Sequence, residues 1–140
     1  MKPIDQTKFG FPHGDCFSAC VASILEREIT ECQMFPDGVD ETSENDIATK
    51  KHWWIVFQRW LREHHNLQAI YLHISELDGY VPKGYSIVSG KGPRGLDHSA
   101  VGLDGNIIHD PHPSRAGLLA VRDYILFVPL VREALEKEEG

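Results

Sequence analysis

The second half of the chain consists of short β-type runs, and this feature constrains the fold more than any other. After Asn66 these runs are rich in β-branched and aromatic residues and are separated by Gly, Pro and Asp, which is typical of strands. Between the third and fourth run, Asp104-Gly105 is a strong signal for a two-residue hairpin, because both positions tolerate positive φ. The predicted strands are 67–74, 85–89, 99–103, 106–109 and 124–128.

The first half of the chain has helical periodicity instead. Apolar residues recur at spacings of three and four over 16–28 and again over 51–65, which predicts two amphipathic helices. The acidic and hydroxyl-rich segment 34–50 between them predicts a solvated loop that can include a short helical turn. Helices that precede strands favour an α+β fold, with an antiparallel sheet packed against the N-terminal helix. The apolar positions are Phe17, Cys20, Val21, Ile24 and Leu25 in the first helix and Trp53, Trp54, Phe57, Trp60 and Leu61 in the second.

Length and charge narrow the class of protein. The 140 residues are the size of one domain, so we expect a single domain over 1–140, with the acidic segment 132–140 as a helical tail. A net charge of -7 argues against a nucleic-acid partner. No stretch has the roughly 20 apolar residues of a membrane span, and the start lacks the apolar run of a signal peptide. We therefore expect a cytoplasmic protein with no membrane partner.

Cys16 stands at the predicted start of the first helix. Unpaired backbone N–H groups and the positive end of the helix dipole favour a thiolate at that position. Asp15 is a good N-cap residue, and Gly14 lets the chain turn sharply before the helix. An odd set of three cysteines in the cytoplasm predicts reduced thiols. Because Cys20 lies on the apolar face and is predicted to be structural, Cys16 is the candidate nucleophile.

A cysteine nucleophile needs a general base, and the base needs a group that orients it. Counting outward from the predicted Asp104-Gly105 turn brings His98 opposite Pro111, one position from Asp110. An imidazole and a carboxylate would then share the open end of one hairpin, and the alternation of side chains along the strands favours this pair. The rival bases are His109 and His112, and the rival partners are Asp97 and Asp104.

This arrangement resembles the papain-like cysteine peptidase superfamily, especially small bacterial or phage members and the peptidase domains that process bacteriocin leaders. The resemblance rests on a Cys at the start of a buried helix, a His that begins a strand and an Asp at the end of the next strand. Short phage and bacterial proteins also have segments similar to Gly14-Asp15-Cys16-Phe17 and His109-Asp110-Pro111-His112-Pro113. The resemblance implies a papain-like fold with a nucleophile-bearing N-terminal helix.

The same resemblance implies a thiol hydrolase that cleaves a peptide, amide or isopeptide bond through a covalent acyl-enzyme. Cys16, His98 and Asp110 would form the catalytic triad. A Gln upstream of the Cys donates to the oxyanion in that family, which implies this role for Gln6, with the backbone N–H of Cys16 as the second donor. No cofactor or metal is expected, and transfer of the acyl group to another acceptor also fits.

The glycine-rich segment 89–95 lies directly before the candidate base and carries Lys91 and Arg94. It fits a mobile surface loop, and it also fits a substrate loop whose cations pair with a carboxylate or phosphate. Arg115 would add a third cation, so the expected substrate is a peptide or small amide, with an anionic one to be tested. The aromatic stripe of the second helix predicts core packing first, although Trp53 or Trp54 would also reach a groove.

Two other functions fit the sequence. Zinc favours His and carboxylate ligands, so His98, Asp110 and His112 would also serve a metal-dependent hydrolase. That alternative leaves the position of Cys16 at the helix start unexplained. The third function is a non-catalytic papain-like binding module that packs its Trp-rich helix against a partner.

Overall fold

The computed structural model describes residues 1–10, 14–32 and 44–130, with 44–52 as backbone only. The predicted acidic tail over 132–140 lies outside these ranges. Two single-turn 3-10 helices, at Ile29–Cys32 and Ile74–Glu76, accompany the main elements. The main elements are α1 (Cys16–Leu25), α2 (Glu44–His65), β1 (Leu67–His73), β2 (Tyr85–Lys91), β3 (Asp97–Leu103), β4 (Asn106–His109) and β5 (Ala120–Pro129).

The strands form one antiparallel sheet in the order β1-β5-β2-β3-β4. Helix α1 contacts β3 and β2, and helix α2 contacts β1. The prediction of an α+β fold with an antiparallel sheet against the N-terminal helix is therefore confirmed. All of the predicted strands are present. Of the loop predicted over 34–50, residues 34–43 lie outside the described residues, and 44–50 form the first two turns of α2, which is more helix than the short turn expected there. Within the described ranges, no helix is long and apolar enough to cross a membrane.

The predicted hairpin joins β3 to β4. Asp104 and Gly105 both have positive φ, 53° and 84°, and Leu103 pairs with Asn106. The register then shifts by one residue, so that Val101 pairs with His109. The residue pairing predicted by counting outward from the turn was therefore wrong beyond Gly102, because a bulge inserts an extra residue into β4.

The core lies between the helices and the sheet. Residues 18–23 of α1 are all buried, and four of them are Ala or Ser, which lets neighbouring backbone approach closely. Cys20 is fully buried in this core, as predicted, and the aromatic stripe of α2 packs there as well. Besides Cys20, the main core residues are Val21, Cys32, Phe57, Trp60, Leu61, Ile87, Val101 and Ile125.

Gly90 allows the close approach of β2 and β5 beside the candidate site. A Cβ at this position would collide with the carbonyl oxygen of Ala120 and lie 2.9 Å from the backbone nitrogen of Arg122. We expect Gly90→Ala to lower the free energy of unfolding by about 2 to 3 kcal/mol, because the backbone of β5 must move. Gly79→Ala is the control: nothing lies within 4 Å, so only its positive φ costs about 1 kcal/mol. Equal urea midpoints for the two variants would contradict this prediction.

Candidate active site

A buried hydrogen bond joins His98 at the start of β3 to Asp110 directly after β4. Nε2 of His98 lies 2.6 Å from Oδ1 of Asp110, and the two residues are only 6% and 4% exposed. The predicted proximity of these side chains is thus confirmed. An ionised carboxylate only accepts hydrogen bonds, so Nε2 carries the proton, and Nδ1 is the basic nitrogen of the neutral ring. In the described part of the chain, the side chain of His98 bonds only to Asp110.

Asp110 is held by two further donors. The backbone N–H of His112 donates to Oδ1 at 2.9 Å, and the backbone N–H of Gly117 donates to Oδ2 at 2.7 Å. Burial raises the pKa of Asp110, but the bond from His98 and the two backbone bonds lower it by more, so the pKa lies below its usual value. Asp110 therefore remains a carboxylate and keeps the ring of His98 in one tautomer.

The N-terminal segment contacts the loop after β4. Arg115 donates to both oxygens of Asp5, at 2.6 and 2.9 Å, and to the carbonyl oxygen of Asp110 at 2.5 Å. The hydrogen bond from Arg115 lowers the pKa of Asp5. The guanidinium of Arg115, which the sequence predicts to bind substrate, is thus bonded to Asp5 and to the backbone of Asp110. It joins the N-terminal segment to the candidate site.

The carboxylate of Asp15 is buried and faces the same N-terminal segment. It accepts hydrogen bonds from the backbone N–H groups of Thr7 and Lys8, at 2.8 and 2.9 Å, and from the hydroxyl of Thr7 at 2.6 Å. Asp15 occupies the N-cap position, as predicted, but its side chain makes no capping bond to α1. Asp15, the residue before Cys16, instead anchors the start of α1 to the N-terminal segment.

The N-terminal segment also connects the start of α1 to the sheet. The backbone N–H of Gln6 donates to the carbonyl oxygen of Pro111 at 3.0 Å, one residue after Asp110. Residues 6–8 therefore reach from the end of β4 to the start of α1, and three residues span at most about 10 Å. Cys16 and Asp110 thus lie at the same end of the molecule.

Cys16 differs from the other two cysteines in exposure. It is half-buried, whereas Cys20 and Cys32 are fully buried, and all three are thiols. Burial raises the pKa of Cys32 to about 12. Of the three, Cys16 is the one that a reagent or substrate reaches.

Gln6 lies close to the end of β4 through its backbone, and its side chain is buried. Its Nε2 donates to the carbonyl oxygen of Lys8 at 2.9 Å, which uses one of two amide hydrogens. Its Oε1 is buried and has no hydrogen-bond partner in the part of the chain that the structure describes. The predicted oxyanion donor is thus near the site, with its amide turned toward the N-terminal segment.

Lys91 and Arg94 occupy different structural positions. Lys91 ends β2, where it pairs with Asp97 and Ala120, so the loop predicted from residue 89 was wrong for 89–91. The side chain of Lys91 is exposed. Arg94 is in the loop that follows, and its Nη1 donates to Oγ of Ser114 at 3.1 Å. Arg94 is therefore the cation of this pair that contacts the loop after Asp110.

Trp54 is part of the aromatic packing on α2. Its ring centroid lies 5.7 Å from that of Trp53 and 5.9 Å from that of Phe57, and it packs against the core. Trp53 in turn contacts Phe17, the neighbour of Cys16, at 5.3 Å. The structure therefore confirms core packing by the aromatic stripe, and it shows no contact between Trp54 and the His98–Asp110 pair.

The rival base His109 has a different partner. Its side chain is buried, and Nε2 donates to the carbonyl oxygen of Ile4 at 2.9 Å and lies 3.4 Å from Asp5. These contacts bind the N-terminal segment to β4. The rival partners Asp97 and Asp104 are engaged elsewhere, with Arg122 and with the backbone of Gly84.

His112, which the sequence leaves open as a rival base or a metal ligand, lies beside His98. Its ring lies edge-on to that of His98, with centroids 6.3 Å apart, and it also contacts Phe9 at 5.4 Å. The His-Asp-Pro-His-Pro motif was the available signal, because the prolines restrict the chain on both sides of His112. Phe9 had no signal in the sequence.

The metal-dependent alternative gains no support from this geometry. Within the described residues, no group of three His, Cys, Asp or Glu side chains is arranged to hold a metal ion. Nδ1 of His112 faces Ser114, and His98 and Asp110 bond to each other. The three nominated ligands therefore do not converge on one point.

No protein-family model, curated protein or solved structure matches the chain. Membership of the papain-like superfamily therefore stays a prediction from motif and element order. The structure itself shows an α+β fold with a buried His–Asp pair at the end where α1 begins.

The lowered pKa of Asp110 predicts a pH-dependent loss of stability for Asp110→Asn. At pH 7 we expect the variant to lose about 1 to 3 kcal/mol of unfolding free energy, since buried donors lose a charged acceptor. The carboxylate contributes its stability above the unfolded pKa of about 3.9 and loses it as the pH falls through the lower folded value. The difference from wild type should therefore shrink from pH 4 to pH 2 in urea titrations.

Asp78→Asn, in an exposed turn, is the matched control and should stay close to wild type throughout. A stability difference for Asp110→Asn that is constant from pH 2 to pH 7 would contradict the assignment of a charged Asp110.

Proposed function

We propose that the protein is a thiol hydrolase in which Cys16 is the nucleophile, His98 the general base and Asp110 the group that orients the base. The observation that carries this proposal is the buried His98–Asp110 pair, 2.6 Å apart, at the end of the molecule where α1 begins with Cys16. Since Nε2 faces the carboxylate, Nδ1 is the nitrogen that serves the thiol.

The proposed reaction is acyl transfer from an amide. Nδ1 of His98 takes the thiol proton, and the sulfur of Cys16 attacks the carbonyl carbon to form a tetrahedral oxyanion. The imidazolium then protonates the departing amine as the C–N bond breaks, which leaves a thioester. Water attacks the thioester with His98 again as the base, and the acid and the free thiol are released.

The start of α1 supports a reactive thiolate. The carboxylate of Asp15 bonds to Thr7 and Lys8, so it does not cap the first turn. The positive end of the helix dipole acts on Cys16, which is the first residue of α1. This field lowers the pKa expected of a thiol there and stabilises the oxyanion at the backbone N–H of Cys16.

Gln6 is the second donor in the proposed mechanism. Among the described residues its buried Oε1 has no hydrogen-bond partner, which costs about 1 to 3 kcal/mol for a buried acceptor. The Nε2 group uses one of its two hydrogens on the carbonyl oxygen of Lys8, and in the proposed mechanism the second hydrogen is donated to the oxyanion. Gln6 therefore acts on the tetrahedral oxyanion that forms during the proposed reaction.

The proposal includes a papain-like fold and a cytoplasmic location. The order of a nucleophile at the start of a helix, a His on β3 and an Asp after β4 is the order on which the resemblance rests. Three thiols in a chain without a disulfide fit a reducing compartment. A peptide, amide or isopeptide is the expected substrate class.

The rate of alkylation by iodoacetamide tests the nucleophile without a known substrate. At pH 6 an ordinary thiol with a pKa of about 8.5 is less than about 1% thiolate. We expect Cys16 to react at least tenfold faster than a cysteine in an unstructured peptide, and His98→Ala to abolish this advantage. Peptide mass mapping assigns the label, with Cys16→Ser as the control.

Cys20 and Cys32 are internal references, because both are fully buried in the folded chain. Labelling of Cys16 no faster than that of the peptide thiol, or unaffected by His98→Ala, would refute the nucleophile and favour the binding-module alternative. A thioester adduct at Cys16 that persists in Asp110→Asn after incubation with peptide amides would extend the result from reactivity to catalysis.

A further inference from the structure

The tautomer of His112 is set by its neighbour Ser114. The backbone N–H of Ser114 donates to Nδ1 of His112 at 3.0 Å, and Oγ of Ser114 lies 2.9 Å from the same nitrogen. A backbone N–H only donates, so Nδ1 must be the unprotonated nitrogen. The neutral ring therefore carries its hydrogen on Nε2, on the side away from Ser114.

The surroundings keep this ring neutral. The pKa of His112 lies below the ordinary value of 6.5, because of desolvation first and then the positive charge of Arg94. His98 and Arg115 act in the same direction, while Asp110 opposes them. Protonation at Nδ1 would also break the bond from the backbone of Ser114.

The N–H on Nε2 of His112 is at the edge of the site. The ring is half-buried and lies between His98 at 6.3 Å and Phe9 at 5.4 Å, and Phe9 is 51% exposed. In the described part of the chain, Nε2 of His112 has no hydrogen-bond partner, since the contacts of its ring nitrogens go through Nδ1 to Ser114. A neutral donor thus lies beside the proposed catalytic base.

Arg94 adds a positive charge at the same place. Its exposed guanidinium donates one hydrogen bond to Oγ of Ser114, the same oxygen that contacts His112. A guanidinium has five N–H donors in a planar fork that matches a carboxylate, so most of them remain for a ligand. The ring N–H and the guanidinium are therefore two donors joined through one serine.

We propose that His112 and Arg94 form a subsite that binds a carboxylate of the substrate next to the scissile carbonyl. This proposal rests on the proposed function, because the reacting carbon is placed by Cys16 and His98. The Nε2–H of His112 donates to the carboxylate, the positive charge of Arg94 attracts it, and Phe9 provides an apolar wall. The substrate class is accordingly a peptide or amide with a carboxylate close to the bond that is cleaved.

Two alkylating reagents of nearly equal size test this subsite. Iodoacetate has a carboxylate beside the reacting carbon, and iodoacetamide has a neutral amide there. The measured quantity is the ratio of their second-order rate constants at Cys16. We expect His112→Phe and Arg94→Gln each to lower this ratio at least threefold, because the first removes the donor to the carboxylate and the second removes the positive charge that attracts it.

Two further variants separate the subsite from general effects. His112→Gln retains a side-chain N–H donor and should keep more of the ratio than His112→Phe. Lys83→Gln removes an exposed positive charge beyond the opposite end of β2 and should leave the ratio unchanged. Unchanged ratios in both His112→Phe and Arg94→Gln, with Cys16 still reactive toward iodoacetamide, would overturn the subsite and leave the proposed function intact.

Binding of acetate to the unmodified protein tests the subsite independently of Cys16. Addition of sodium acetate should shift the Nε2 resonance of His112 in histidine NMR spectra, and acetamide at the same concentration should not. Arg94→Gln should abolish the shift. Absence of an acetate-specific shift in the wild-type protein would overturn the subsite even if Cys16 were reactive. An unreactive Cys16 together with the expected acetate shift would refute the proposed function alone.

Discussion

The buried carboxylate of Asp110 is the group on which the geometry of the candidate site depends. A carboxylate removed from water is strongly destabilising unless donors surround it, and here the imidazole of His98 and two backbone N–H groups do so. Satisfying this charge forces residues 112–117 to curl around it. The orientation of His98 and the path of the loop after β4 therefore follow from one electrostatic requirement.

A second buried carboxylate, that of Asp15, likewise fixes the start of α1 through the donors that surround it. Its bonds to Thr7 and Lys8 hold the N-terminal segment against the helix, while Gln6 binds that segment to Pro111. The two acids, which are nearly a hundred residues apart in sequence, thus hold the start of α1 and the end of β4 to the same N-terminal segment. Because Asp15 binds the N-terminal segment, the first residue of α1, Cys16, is held close to that segment.

Several parts of the site were accessible from local patterns. The Asp104-Gly105 turn predicted the β3–β4 hairpin, and the hairpin alone brings His98 within reach of Asp110. The exact register was not accessible, because a bulge depends on how β4 packs against its neighbours and not on the turn that starts it. Arg115 was predicted to bind substrate from its charge and position, but its bidentate contact with Asp5 depends on a residue 110 positions away. His112 was visible as a motif residue, yet its tautomer follows only from the backbone of Ser114.

The sequence by itself determined the fold class, the strands, the hairpin turn, the buried faces of the helices and the identity of a plausible nucleophile, base and orienting acid. These follow from periodicity and turn chemistry, which act over a few residues. Only the tertiary structure decided that Asp15 anchors the N-terminal segment instead of capping α1, that Arg115 pairs with Asp5 and that His112 presents a neutral N–H beside His98. Each of those outcomes is a choice among competing hydrogen-bond partners, and the partner that wins is set by which backbone and side-chain groups the fold brings together as it excludes water.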